Sequence, residues 1–253
     1  MKLFYRDLGG AGKRPLIILH GLFGSSRNWN SVGKSLSHFF HVWTLDLPNH
    51  GESPKRTLFT FENMIEDVAE TLTDLGLKKV FVIGHSLGGK VAMLLACRHP
   101  NLVDHLALVD IGPKEYPLPL KEIQALKALD LSKIHSRQNA LDLLKSEIPD
   151  LKARHFLLTN LIRPPEGGFE WAIDLKILKR SLEHLRLNPL SEKDFWSGRA
   201  QFIVSQKTAY VVPEDEPIIR KHFPNAEMFW LPNVGHNIHI DDPETLIEVV
   251  TNS

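Results

Sequence analysis

Strand-length apolar runs alternate with helix-length segments along this chain, and that rhythm constrains the fold more than any single residue does. The runs are Pro15–Leu19, Phe40–Leu45, Val80–Ile83, Leu106–Val109, Ala200–Val204 and Ala226–Leu231. Between them, Phe61–Leu75 and Lys90–His99 carry apolar residues at helical spacing. Strands separated by helices are joined by crossovers rather than hairpins, so they run parallel, and a parallel sheet must be covered on both faces. The expectation is an α/β protein with a mainly parallel sheet flanked by helices. With 253 residues and 43% apolar content the chain fills a core as one domain, residues 1–253.

The rhythm breaks between Gly112 and Arg199. That stretch is mostly helical by pattern and is punctuated by Pro113, Pro117, Pro119, Pro149, Pro164-Pro165, Gly167-Gly168 and Pro189. Residues 112–199 are therefore expected to form a helical cap, inserted between two strands and lying over the strand ends. A cap of this kind excludes water and shapes a substrate pocket. Phe23, Tyr116, Phe156, Trp171 and Leu175 are the side chains expected to face it, with Trp29 also close to the same loops.

Chemistry enters at Val80–Gly89, where a buried strand runs into Gly84-His85-Ser86-Leu87-Gly88 and then into a helix. A serine at the tip of so sharp a turn must accept strained backbone angles, and a side chain two positions away on either side would clash. Glycines at 84 and 88 meet that requirement. A serine hydroxyl is a poor nucleophile near neutral pH, so a base has to take its proton and an acid has to orient the base.

The chain has 13 histidines, and His236 is the one in the right place. It sits in a loop after Ala226–Leu231 and before a helix announced by Asp242, Pro243 and Glu244. For the acid there are two places. The loop after Ala200–Val204 reads Ser205-Gln206-Lys207-Thr208-Ala209-Tyr210 and holds no carboxylate; Glu214, Asp215 and Glu216 come next and read as the first turn of a helix. Asp110, by contrast, ends the strand Leu106–Val109, so its carboxylate can project from the same sheet edge as Ser86. Asp110 is the favoured acid and Asp215 its competitor. Backbone amides of Leu22 and Leu87 are the expected oxyanion donors, with Phe23 as the neighbouring alternative. His20, in the same loop as Leu22, is expected to be a structural hydrogen-bonder rather than a metal ligand.

Four stretches together, His20–Ser25, Asp46–Pro54, Gly84–Lys90 and Gly235-His236, resemble the α/β-hydrolase superfamily. Asn49-His50-Gly51-Glu52-Ser53-Pro54 and Gly88-Gly89-Lys90 narrow the resemblance to the YbfF-type esterase branch, which includes the α/β-hydrolase domain-containing protein 11 group. In that branch the acid is expected in a Val/Ile-Asp-Ile-x-Pro setting, which Val109-Asp110-Ile111-Gly112-Pro113 matches. Pro48, where relatives commonly have arginine, and Ser205-Gln206, where a glycine pair is usual, depart from the pattern at the pocket rather than at the three catalytic candidates. The resemblance implies a serine carboxylesterase working through an acyl-enzyme on a small-molecule acyl ester, without cofactor or metal. A thioesterase, a carbon–carbon bond hydrolase or lyase, and a non-catalytic ligand-binding module are the alternatives on the same fold.

Composition adds exclusions. Lys plus Arg and Asp plus Glu are both 30, which offers no electrostatic reason to expect nucleic acid or anionic membranes as partners. Met1–Asp7 lacks the apolar stretch of a signal peptide and no run reaches the roughly 20 residues of a membrane span, so a soluble cytoplasmic monomer is expected. The lone Cys97 lies on the apolar side of the helix after Ser86 and reads as core.

Overall fold

The computed structural model describes residues 1–252. The strands and helices are, in chain order, β1 (Tyr5–Asp7), β2 (Pro15–Leu19), α1 (Asn30–Leu36), β3 (His41–Leu45), α2 (Phe61–Asp74), β4 (Val80–His85), α3 (Leu87–Arg98), β5 (Val103–Val109), α4 (Leu120–Ala128), α5 (Arg137–Leu143), α6 (Leu151–Leu157), β6 (Leu161–Ile162), β7 (Glu170–Trp171), α7 (Leu175–Leu185), β8 (Arg199–Ser205), α8 (Glu216–His222), β9 (Ala226–Leu231), α9 (Ile238–Asp241) and α10 (Pro243–Thr251). Seven strands form one sheet in the order β1-β3-β2-β4-β5-β8-β9. Only β1 runs antiparallel to its neighbour; every other pairing is parallel.

Side-chain alternation divides the core into two layers. Leu16, Ile18, Phe81, Ile83, Ala107 and Val109 pack on one face with Val32 and Leu36 of α1 and Leu246 and Val250 of α10. Ile17, Leu19, Val82, Leu106 and Leu108 pack on the other with Met64, Val68 and Leu72 of α2 and Val91 and Leu95 of α3. Both faces are apolar because both are covered, which is why these strands read as continuous runs rather than alternating ones. At the carboxyl edge His85 pairs with Val109 and Val109 with Ile203, so the loops that follow β4, β5 and β8 leave the sheet side by side. In open parallel sheets that edge is where ligands bind.

Between β5 and β8 the chain makes a long excursion containing α4, α5, α6, β6, β7 and α7. One part is not helical: β6 and β7 pair as an antiparallel ribbon, Leu161 opposite Trp171 and Ile162 opposite Glu170. Its loop holds Gly167 and Gly168 at φ 95° and 77°; read from the sequence these are punctuation, but two-residue strands are too short to show a period. Helix α10 is capped as its sequence suggests, with Asp242 accepting from the Thr245 amide at 3.1 Å, while the short α9 intervenes between it and His236.

Candidate active site

Strand β4 ends at the site's tightest turn. Ser86 has φ 51° and ψ −116°, a conformation a non-glycine residue holds only under constraint. The surroundings leave no room for side chains on either flank: a Cβ on Gly84 would come within 2.6 Å of the Gly88 carbonyl oxygen, and one on Gly88 within 2.3 Å of the Leu19 carbonyl oxygen. The Leu87 amide opens α3, where the first amides have no intrahelical acceptor and the helix dipole presents positive charge.

Asp110 follows β5 with φ 48° and is fully buried. Its Oδ2 accepts from His236 Nδ1 at 2.8 Å and from the Thr208 hydroxyl at 2.9 Å, and its Oδ1 accepts from the Ser205 amide at 3.0 Å. Ser205 and Thr208 belong to the loop that lacks a carboxylate; in place of an acid it supplies the donors that hold one. Asp215, the competing acid, is engaged elsewhere, accepting from the Val212 amide at 2.9 Å and pairing with Lys114.

The histidine loop is fixed from several sides. His85 Nε2 donates to the His236 carbonyl at 3.0 Å, and burial, with the neighbouring His236 and His239, pushes His85 well below the usual imidazole range. A neutral His85 protonated at Nε2 therefore anchors the backbone of His236. Tyr210 stacks on the His236 ring, centroids 3.7 Å apart and planes 13° from parallel. The Tyr116 hydroxyl in turn donates to the Tyr210 carbonyl and accepts from the Gly112 amide, both at 2.8 Å, tying the start of the insertion to the strand edge. His20 acts as a backbone fastener, accepting from the Leu47 amide at 2.9 Å and donating to the Gly21 carbonyl at 2.8 Å.

A cavity of about 380 Å³ brings Ser86 and His236 together with Leu22, Leu87, Phe23, Tyr116 and Phe156. Trp171 and Leu175 are not in its wall. Both border a second cavity with Lys55, Lys127 and Leu131. Trp29 is buried and stacked on His239 at 4.3 Å, so it too contributes no surface to the first cavity. Polar groups lie in that wall as well: Lys90 of the Gly88-Gly89-Lys90 stretch, and Glu122 and Arg186, which pattern reading did not single out. Lys90 Nζ donates to the carbonyls of Leu185, Arg186 and Leu187 at 3.2, 2.9 and 2.6 Å, closing the carboxyl end of α7. Burial pushes its ammonium down to about 7. Cys97 is half-buried on α3, its thiol pushed up to about 12 by burial, as suits a packing residue rather than a reactive one.

Known proteins are similar to this chain over nearly its whole length. The family model described as the alpha/beta hydrolase fold matches residues 14–243. The sn-1-specific diacylglycerol lipase ABHD11 of Mus musculus is 36% identical over 262 residues, which cover 99% of this chain and 84% of that protein. A putative esterase/lipase of Haemophilus influenzae is 31% identical, covering 93% of this chain and 81% of that protein. Among solved structures, a marine microorganism esterase superposes with a TM-score of 0.96 at 33% identity, covering 100% of this chain and 99% of the other. With a parallel sheet whose edge carries the serine turn, and with a family match over nearly its full length, the chain belongs to the α/β-hydrolase fold family.

Proposed function

We propose that the chain is a serine carboxylesterase in which Ser86 is the nucleophile, His236 the general base and Asp110 the orienting acid. The observation that carries this reading is the 2.8 Å contact between Asp110 Oδ2 and His236 Nδ1 in a loop that faces the same cavity as Ser86. With Nδ1 donating to the carboxylate, Nε2 is the ring atom free to take the serine proton. Ser86 Oγ then attacks the ester carbonyl, and the amides of Leu22 and Leu87 receive the developing oxyanion. The tetrahedral adduct collapses with transfer of the proton from Nε2 to the leaving alcohol. Water, deprotonated by the same nitrogen, resolves the acyl-enzyme.

Aliphatic and aromatic residues of the cavity, Leu22, Phe23, Leu157, Leu182 and Leu185 among them, suit an acyl chain. The names of the mouse and Haemophilus relatives, a diacylglycerol lipase and an esterase/lipase, support an ester rather than a thioester as substrate. Turnover of p-nitrophenyl esters of graded acyl length tests the reaction, with acyl-CoA of matched lengths as the thioester comparison. Ser86→Ala is expected to lower kcat by on the order of 10⁶ and to abolish labelling by a fluorophosphonate probe. Labelling that persists in the variant would put the nucleophile elsewhere.

A further inference from the structure

The turn after β2 is closed by the Gly24 amide, which donates to the Gly21 carbonyl at 2.9 Å. Leu22 and Phe23 are its central residues. Phe23 has φ 62°, the left-handed angle that a type II turn needs at its third position and that glycine ordinarily supplies. Types I and II differ by a flip of the central peptide, here the one joining Leu22 to Phe23. The sign of φ at Phe23 therefore decides whether the peptide next to the Leu22 N–H turns its own N–H (that of Phe23) or the Leu22 carbonyl toward a given side. A phenylalanine keeps that angle only where its surroundings over-determine it.

One of those surroundings comes from outside the sheet. Asn160 follows α6 in the inserted segment and is 3% exposed. Its Nδ2 donates to the Phe23 carbonyl at 2.7 Å and to the Leu157 carbonyl at 3.2 Å. Its backbone carbonyl accepts from the Ala172 amide at 2.9 Å, so the residue is held at its side chain by α6 and at its backbone by the end of the ribbon. This is the one side-chain hydrogen bond to the Phe23 carbonyl among the described residues.

We propose that Asn160 is a positioning residue for the oxyanion hole: its amide holds the Gly21–Gly24 turn in the flipped form, so that the hole is complete only while the inserted segment is docked. The inference rests on the oxyanion role assigned above to the Leu22 amide, beside which the flipping peptide would otherwise bring a carbonyl oxygen. Its consequence is kinetic. Losing a donor outright costs about 10²–10³ in kcat in serine hydrolases, and a donor left in place but free to turn away should cost less.

The test measures kcat and KM on a short p-nitrophenyl ester, and inhibition by a trifluoromethyl ketone, which forms a tetrahedral oxyanion on an activated serine. In Asn160→Leu, kcat is expected to fall about 10- to 100-fold, with KM changed less than about twofold and ketone affinity weakened in step with kcat. Asn160→Asp, of the same shape but with acceptors facing two carbonyls, should lose at least as much; it provides the same reading if the leucine variant does not fold. Phe23→Gly relieves the angle, so adding Asn160→Leu to it should cost less in kcat than in the wild type. An unchanged kcat in either folded Asn160 variant, or a change in KM alone, overturns the proposal and leaves Asn160 as structural packing. If Ser86→Ala is inactive while Asn160→Leu is fully active, only this inference falls; if Ser86→Ala turns over substrate, the oxyanion reading falls with it.

Discussion

A carboxylate held by three donors from two loops, as Asp110 is by Ser205, Thr208 and His236, has little freedom to rotate, and an amide in its place cannot accept on both atoms. Asp110→Asn should therefore leave the His236 ring in the wrong tautomer, lowering kcat by on the order of 10⁴ with little effect on KM. Asp215→Asn should leave kcat near wild type, since that carboxylate serves Lys114 and the Val212 amide. Steady-state kinetics on the two purified variants would settle the assignment, and the opposite ranking would sink it. Ser86, Asp110 and His236 stand out in the sequence because each sits at a junction between a strand and a loop, and junctions are marked by where apolar runs stop. Thr208 and Asn160 carry no such mark, and Ser205, although it follows the run Ala200–Val204, is not an acid, a base or a nucleophile in a recognisable turn. Each is a single polar residue whose meaning depends on which carbonyl or carboxylate lies opposite, and no period encodes that. Trp171 shows the same limit from the other side: an aromatic in the insertion was expected at the substrate, but which face of a two-residue ribbon it occupies is decided by packing.

At the level of elements, the insertion is fastened to the sheet by polar contacts as well as by shared apolar packing. Lys90, on the first turn of α3, donates to three carbonyls at the end of α7. Those carbonyls are the groups a helix leaves without partners. Lys90→Met keeps the bulk and removes the donors, which should destabilise docking of α7 by about 1–3 kcal/mol. Hydrogen exchange is the direct measurement: amides of α7 should lose protection while those of β4 and β5 keep theirs. Uniform loss across the sheet would mean that Lys90 supports the core rather than the insertion. The helices α2 and α10 were readable because each buries one face, whereas α3 is buried nearly all round and was readable from the glycine turn that opens it. Short pieces such as β6, β7 and α9 were not, since two to four residues cannot establish a period.

For the molecule as a whole, buried imidazoles set an acid limit. His239 is 5% exposed, stacks on Trp29 and, among the described residues, has no hydrogen-bond partner at either ring nitrogen. Burial, and then the nearby His236, push it down to about 4. The unfolded chain binds that proton near pH 6.5 and the folded one only near 4, so stability present above about 6.5 is lost as pH falls toward 4. The difference corresponds to about 3 kcal/mol for this residue. His239→Leu should therefore gain little at pH 7.5 and most at pH 4.5, as read from urea midpoints. An equal shift at both values would assign the effect to packing instead. The broad architecture was legible because six apolar runs, separated by helix-length segments, report one parallel sheet.

The break between β5 and β8 has an evolutionary side. These strands are hydrogen-bonded neighbours although the whole excursion separates them along the chain, and the entropy of closing such a loop rises only logarithmically with its length. Residues can be added, removed or exchanged in that stretch at small cost to strand pairing. Under the proposed reading, the wall of the cavity can therefore be rebuilt through the excursion while the sheet edge that carries Ser86 and Asp110 keeps its strand pairing.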